Sequence, residues 1–270
     1  MKRIALHSVP RSGSTWLGAI FDSHPEVVYK YQPLFSYRFK GCLTPASSEG
    51  DIVTFFADMA NTADDFTDQV EAKNKGIVPS FDKADVIKAI VYKEVRYHHI
   101  LANMLEKDSN LKVIGLIRNP LSVIYSWLNA PKEFRADKGW KIEEEWRLAP
   151  KKNLNKPEEF NGYEKWKEVA LLFEHFERAY PEQFFLLTYN DLLANTSKMV
   201  QELFAFCGLN YHERTDAFIQ SSKAATVKDA YSVFRKNQRD DKWRGRLANE
   251  IVAHICTDLA GTNLQKYLDC

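Results

Sequence analysis

The sequence predicts an α/β fold, with a central parallel sheet flanked by helices on both faces. Short apolar segments alternate with amphipathic ones along most of the 270 residues. The apolar segments are continuous, which is typical of strands buried on both faces. Their alternation with helical patterns favours parallel strands joined by crossover helices. Since no linker, repeat or low-complexity segment interrupts the chain, we expect a single domain over residues 1–270.

Five segments are predicted as strands because they are apolar, short and followed by a turn signal or a helical pattern. They are residues 3–9, 27–31, 89–95, 111–118 and 184–188.

Helices are predicted where apolar residues recur at helical spacing, with Pro25 as a stop signal and Pro120 as a start signal. The predicted ranges are 15–21, 52–60, 63–71, 97–106, a helix starting at 120, 163–179, 197–206, 213–220 and 241–259. Apart from its two short helices, the block 32–85 is irregular, and residues 131–162 are predicted as a loop.

The charge balance excludes a strongly basic or acidic protein. Lys plus Arg is 37 and Asp plus Glu is 36, a formal net charge of +1. No overall basic field attracts nucleic acid or an anionic membrane, so we expect neither as a partner. Any anion site must therefore be local.

The four cysteines are scattered and show no metal-ligand spacing, so no metal site and no disulfide framework is expected. Whether two of them pair, and whether the chain forms oligomers, is not decided by the sequence. No leader pattern or run of membrane-spanning length is visible. We expect a cytoplasmic protein; the alternative is a lumenal catalytic domain expressed without its anchor.

A candidate phosphate loop, Pro10-Arg11-Ser12-Gly13-Ser14-Thr15-Trp16, links the first predicted strand to the first helix. Glycine allows the backbone to approach a ligand closely, and the N–H groups of a first helical turn favour an anion. No lysine precedes Ser or Thr, which disfavours a nucleoside triphosphatase loop. The alternative is a plain turn whose serine caps the helix.

A second candidate lies where the fourth predicted strand ends in Arg118, just before the helix that starts at Pro120. Ligands of open parallel sheets bind at the carboxyl ends of the strands, which favours Arg118 as an anion ligand. Ser126 lies nearly two turns into this helix, so it can share a phosphate with Arg118 only if the ligand runs along the helix. The alternatives are a structural arginine and a serine that bonds its own backbone.

These two segments, PRSGSTW and IGLIRNPLSVIYSW, resemble the phosphate-binding segments of sulfotransferases that use 3′-phosphoadenosine 5′-phosphosulfate (PAPS). LLTYNDLLAN and FRKNQRDDKW are similar to that family's strand-end tyrosine segment and nucleotide-closing segment, and all four follow the family's order. The resemblance implies a P-loop-like sulfotransferase fold and transfer of a sulfuryl group from PAPS to a carbohydrate or small-molecule hydroxyl. It also implies PAPS as co-substrate, 3′-phosphoadenosine 5′-phosphate (PAP) as product, and no metal.

The resemblance implies roles for individual residues. Arg11 would contact the phosphosulfate bridge, and residues 12–15 would hold the 5′-phosphate. Trp16 would pack by the adenine or begin the helix core, and Tyr189 would lie near the adenosine. The 3′-phosphate would be held by Arg118, Ser126, Arg235 and Lys236. The whole implied nucleotide set is Arg11, Ser12, Gly13, Ser14, Thr15, Trp16, Arg118, Ser126, Tyr189, Arg235 and Lys236.

The catalytic base is harder to assign, because the sequence departs from the family there. Carbohydrate-type members carry Glu-Pro where this chain has Gln32-Pro33, and Asn237 replaces a family glycine. The Lys-x-His of cytosolic members has no histidine at the same offset in VYKEVRYHH. Glu94 is the first candidate base, with Lys93 facing the sulfuryl group. The next candidates are His98 and His99.

Other interpretations remain open. Glu94 is instead structural if it pairs with Lys93 or Arg96, and His98 is instead exposed at a helix start. We expect His7 to be a buried histidine with satisfied hydrogen bonds. A P-loop kinase-like phosphotransferase and a non-catalytic nucleotide-binding protein are the alternative functions, and the sequence does not name the acceptor.

Overall fold

A computed structural model describes residues 1–229, 231–234, 236 and 239–268. Its five-stranded sheet has β1 (Lys2–Ser8) at the centre, between β3 (Ala89–Glu94) and β4 (Leu111–Ile117). The outer strands are β2 (Val27–Tyr31), beside β3, and β5 (Phe184–Thr188), beside β4. Every pairing is parallel, which confirms the predicted sheet, with strand order β2-β3-β1-β4-β5.

Twelve α-helices are assigned within the described residues, and they cover both faces of the sheet. In chain order they are α1 (Ser14–Asp22), α2 (Glu49–Asn61), α3 (Val70–Asn74), α4 (Leu101–Lys107), α5 (Pro120–Leu128), α6 (Ile142–Glu145), α7 (Pro150–Asn153), α8 (Tyr163–Ala179), α9 (Tyr189–Ala194), α10 (Thr196–Phe206), α11 (Glu213–Ala224) and α12 (Asn249–Leu259). One face packs against α2, α4, α5, α8 and α12, and the other against α1, α9, α10 and α11. Of the described helices, none is both long and apolar enough to cross a bilayer.

The pleat of β3 divides its side chains between the two cores. Ile90 and Tyr92 pack in the core with α2 and α4, whereas Ala89 and Val91 pack in the core with α1. All four are fully buried. Because successive side chains of a strand point to opposite faces, the next two residues of β3 must also lie on different sides of the sheet.

One predicted helix, 63–71, is wrong over most of its length, and another, 241–259, begins later than predicted. Residues 65–69 form turns in place of the helix 63–71, because the Asp64 carboxylate accepts the backbone N–H of Thr67 at 2.8 Å and so favours a turn over a helix. Residues 242–247 also form turns, and α12 begins only at Asn249. Gly245 has a φ of 67°, a left-handed backbone conformation that ends a right-handed helix.

Some helical segments were not predicted. The segment 131–162 contains a 3₁₀ turn at Ala136–Lys138 in addition to α6 and α7, and α9 directly follows β5. Each has at most six residues, too short to show a clear periodic pattern. The remaining predicted strands and helices match the structure to within a few residues at their ends.

Gly115, in the middle of β4, leaves no space for a larger side chain. A Cβ atom there would lie 2.5 Å from Phe184 Cζ and 2.8 Å from Phe173 Cδ2. We expect Gly115→Ala to lower the free energy of unfolding by about 1–3 kcal/mol, because both rings are buried and cannot move aside freely. Urea unfolding measures this. Gly50→Ala in α2 is the control, since its Cβ would meet only Ser48 Oγ at 3.7 Å; equal stability of both variants would contradict the packing argument.

Candidate active site

The loop between β1 and α1 turns sharply at two left-handed residues, Arg11 with φ 67° and Gly13 with φ 84°. The ring of Tyr189 lies directly against Gly13. A Cβ at position 13 would lie 2.4 Å from Tyr189 Cε2, so only glycine fits between this ring and the loop. The local sequence therefore fixes the course of the backbone around the start of α1.

An anion-binding cradle results at this helix start. The first N–H groups of an α-helix have no acceptor within the helix and carry the positive end of its dipole. Ser12 is fully buried and lines a cavity in front of the loop. Its Oγ atom has no hydrogen-bond partner among the described residues. An unpaired buried hydroxyl is costly, and a phosphate oxygen is a suitable partner for it. The residues present thus fit a phosphate group.

The cavity in front of the loop is an open cleft of about 940 Å³, including its mouth. It lies at the carboxyl ends of the strands, where ligands of parallel sheets bind. Nine predicted nucleotide residues line it, and the structure therefore brings them together. They are Arg11, Ser12, Gly13, Ser14, Thr15, Trp16, Arg118, Ser126 and Tyr189.

Arg11 and Ser126 are direct partners. The Nε atom of Arg11 donates to Ser126 Oγ at 3.2 Å, and the guanidinium lies 5.2 Å from the ring centroid of Tyr231. Ser126 lies nearly two turns into α5, so this helix runs beside the cavity. Arg118 and Ser126 line the same cavity, and their sharing of one phosphate stays a prediction.

Arg118 connects the loop to two other parts of the chain. One terminal nitrogen donates to the Arg11 carbonyl at 2.8 Å, and the guanidinium lies 4.6 Å from the ring centroid of Tyr189. Its Nε donates to Asp240 Oδ1 at 2.6 Å. A negative group already occupies the position where the resemblance implies a 3′-phosphate.

Asp240 is an ion-pair partner of Arg118 that the sequence did not predict. Its Oδ2 atom is buried without a partner among the described residues, and its backbone carbonyl accepts the Ser122 hydroxyl at 3.0 Å. In the sequence, Asp240 is marked only by its place within FRKNQRDDKW. The family resemblance of that segment implies roles for Arg235 and Lys236 and none for an aspartate. Its ion pair depends on a contact 122 residues away in the chain.

The nucleotide-closing segment differs from expectation at Lys236. This residue is exposed, its backbone N–H donates to Thr226 Oγ1 at 3.1 Å, and it does not line the cavity. Arg235, the other predicted residue of the pair, lies outside the described residues. The cavity wall in this region is formed by Tyr231, Ser232 and Val233.

Lys93 and Glu94 lie on opposite sides of the sheet. Lys93 lines the cavity and its ammonium lies 4.5 Å from the ring centroid of Tyr31. Burial lowers the pKa of Lys93 well below its ordinary range, toward neutrality. Glu94 faces the other core, where it is fully buried and its Oε1 accepts the Leu34 N–H at 2.9 Å.

Glu94 is therefore not positioned as a base. Burial raises its pKa, so the protonated form is favoured, and it does not line the cavity. Its contact with Leu34 instead holds the 3₁₀ turn Pro33–Phe35 that follows β2. The alternation of side chains along β3 is the physical reason, because it allows only one of two adjacent residues to face the cavity.

His98 also lies away from the cavity lining. It is fully buried, and burial lowers its pKa to about 3. Its Nδ1 is 2.9 Å from Nδ1 of His7, whose Nε2 is 3.0 Å from the Tyr92 hydroxyl. His7 is thus the buried, hydrogen-bonded histidine that was predicted. His99 is half-buried beside Tyr97 and does not line the cavity either.

The far side of the cavity carries polar residues that the sequence did not identify. Arg96 donates to Glu159 Oε1 at 2.9 Å and to Gln32 Oε1 at 2.8 Å, and both Arg96 and Gln32 line the cavity. Glu133 and Asn161 complete this side. They come from irregular segments, and no periodic pattern marks such positions. Among the described residues, no group of His, Cys, Asp or Glu is arranged to hold a metal ion.

Comparisons with known proteins identify the family and the fold. The family model described as "Sulfotransferase domain" matches residues 1–255. A mouse sulfotransferase complexed with PAP is 14% identical with a TM-score of 0.55, and the match covers 98% of this chain and 86% of that chain. A sulfotransferase from Alicyclobacillus acidocaldarius is 14% identical with a TM-score of 0.52, covering 100% and 97% of the two chains.

A retinol dehydratase, crystallised with retinol and PAP, is likewise 14% identical with a TM-score of 0.55, covering 97% of this chain and 82% of that chain. No curated protein matches the sequence. The structural likenesses establish the fold, and the family model spans nearly the whole chain and includes both phosphate segments. This chain belongs to the sulfotransferase family.

Proposed function

We propose that the protein transfers a sulfuryl group from PAPS to a hydroxyl of a carbohydrate or small-molecule acceptor. The observation that supports this most directly is the convergence of Arg11, Arg118 and the unpaired Ser12 hydroxyl on one cleft at the start of α1. Two separate anion-binding groups at one cleft suit a nucleotide that carries phosphates at both its 5′ and 3′ positions.

The nucleotide would be held by residues of three elements. The loop residues Ser12 to Thr15 and the start of α1 suit the 5′-phosphosulfate, and Arg118 suits the 3′-phosphate. Tyr189 supports both regions, because its ring contacts Gly13 and the Arg118 guanidinium. PAPS supplies the activated sulfuryl group and leaves as PAP.

Sulfuryl transfer places negative charge on the leaving 5′-phosphate and on the transferred oxygens, so the protein must supply fixed positive groups. Arg11 lines the cleft beside the loop and remains protonated, so it acts as an electrostatic clamp and not as a proton donor. Lys93 lies on the same cleft, and the nearby donor would favour its charged ammonium form.

The part of the cleft that we assign to the acceptor is polar, and its lining contains Gln32, Arg96, Glu133 and Asn161 as well as Tyr31. Such a lining suits a hydroxylated acceptor that also accepts and donates hydrogen bonds. The retinol dehydratase crystallised with retinol is an example of a related fold with a small alcohol. A cytoplasmic location and a single domain over the whole chain stay predictions.

Arg118→Ala tests the nucleotide assignment. We expect PAP to bind the wild type in preference to ATP, and the variant to lose about 10–100-fold in affinity, because roughly 1.5–3 kcal/mol of charge-assisted hydrogen bonding is removed. Isothermal titration calorimetry measures this, with the exposed Arg178→Ala on α8 as control. Preference for ATP would favour a kinase-like phosphotransferase, and failure to bind either nucleotide would contradict the proposal.

Asp240→Asn tests whether the carboxylate competes with the nucleotide for Arg118. We expect PAP to bind this variant roughly tenfold more tightly, equivalent to about 1.4 kcal/mol, since the 3′-phosphate no longer has to displace a charged partner. The same titration applies, with Asp241→Asn as the neighbouring control. Weaker binding by Asp240→Asn would instead show that Asp240 holds Arg118 in its binding position.

PAPS binding should weaken as pH rises through the mildly alkaline range. Burial lowers the pKa of Lys93 in the empty protein, while the anionic donor raises it, so binding takes up a proton. Glu94 and Glu133 raise this pKa, and Arg96 and Arg11 lower it. Calorimetry in buffers of different ionisation enthalpy measures the proton uptake. Lys93→Met should abolish it; unchanged uptake in that variant would assign it to another group.

A further inference from the structure

The cleft must contain a group that accepts the proton of the acceptor hydroxyl, and neither Glu94 nor His98 lines it. The described titratable residues that do line it are Arg11, Tyr31, Lys93, Arg96, Arg118, Glu133, Tyr189 and Tyr231. Arginine guanidiniums stay protonated and cannot accept a proton. The tyrosines are weak acids whose neutral phenols are poor bases at neutral pH.

Lys93 and Glu133 are therefore the two groups of the described lining that can accept a proton. Lys93 faces the site where the donor's negative charge would collect, beside Arg11. Negative charge nearby favours the ammonium form, so Lys93 is protonated when the donor is bound. Gln32 and Val95 also line this part of the cleft, but neither side chain is basic.

The backbone around Glu133 is well fixed. Its N–H donates to the Ala130 carbonyl at 2.8 Å, and Phe134 next to it is buried against Trp127, with ring centroids 5.6 Å apart. Lys152, on α7, is paired with Glu133 Oε2 at 2.7 Å. The carboxylate is therefore held through its Oε2 atom.

Glu133 is ionised in the empty protein. Burial alone would raise its pKa, but Lys152, Arg96 and Arg11 together lower it. Arg11 and Lys93 line the same cleft as Glu133, so the carboxylate faces the space that the donor and the acceptor would share. The ionised carboxylate can accept the proton of an acceptor hydroxyl, and a positioned general base typically contributes roughly 10²–10⁴-fold to the rate.

We propose that Glu133 is the general base of sulfuryl transfer, with Lys152 as its positioning residue. This inference depends on the sulfotransferase function proposed above. The acceptor oxygen forms a bond to sulfur, and the bond from sulfur to the 5′-phosphate oxygen breaks. The electron pair of that bond stays with PAP, and the acceptor proton moves to the Glu133 carboxylate and then to solvent.

The test compares Glu133→Gln with the wild type, using PAPS as donor and phenol or 4-nitrophenol as acceptor. Phenol has a pKa of about 10, like tyrosine, whereas 4-nitrophenol ionises without help at mildly alkaline pH. Loss of a general base should lower kcat with phenol by roughly 10²–10⁴-fold and with 4-nitrophenol far less. PAP affinity should not fall, and Lys152→Ala should show a smaller loss of the same kind.

Glu143→Gln is the matched control, an exposed glutamate on α6. Equal losses with both phenols, or none with either, while the wild type is active, would overturn the role of Glu133 and leave the sulfotransferase function intact. A wild type that binds no PAP and transfers sulfuryl to neither phenol nor 4-nitrophenol would overturn both. Loss of PAP binding in Glu133→Gln would mean a structural role instead.

Discussion

The guanidinium of Arg118 is the contact on which the site depends. It lies at the end of β4, donates to the Arg11 carbonyl of the phosphate loop, lies near the ring of Tyr189 after β5, and pairs with Asp240 near the C-terminus. Three segments far apart in sequence thus meet at one side chain. A planar group with five fixed donors can bridge partners in this way, and a lysine could not replace it.

Charge in the cleft is local and mostly positive. The described lining contains four basic side chains and one acidic side chain, although the whole chain has a formal net charge of +1. A cleft with low-dielectric walls concentrates such a field, which suits a multiply charged anionic donor without attracting nucleic acid over the whole surface. The single carboxylate in this lining, Glu133, stands out because every neighbouring charged group on the cleft is basic.

The adjacent residues Lys93 and Glu94 of β3 have different surroundings, because successive side chains of a strand point to opposite faces of the sheet. Lys93 faces the cleft and contributes positive charge, while Glu94 is buried in the opposite core and holds the turn after β2 through the Leu34 N–H. That turn places Gln32, which in turn accepts a hydrogen bond from Arg96. Glu94 thus supports the part of the cleft that Gln32 and Arg96 line, although it lies on the other side of the sheet.

The sequence by itself determined the parallel sheet and the glycine-containing loop between β1 and α1, and it identified nine of the residues that line the cleft. Strand periodicity, the glycine at position 13 and the place of Arg118 at a strand end are local properties, and local sequence encodes them. Only the tertiary structure decided the pairing of Arg118 with Asp240, the separation of Lys93 from Glu94, and the position of Glu133 on the cleft. Those features depend on contacts between distant segments and on which face of a strand meets the cleft, and neither leaves a pattern in a single sequence.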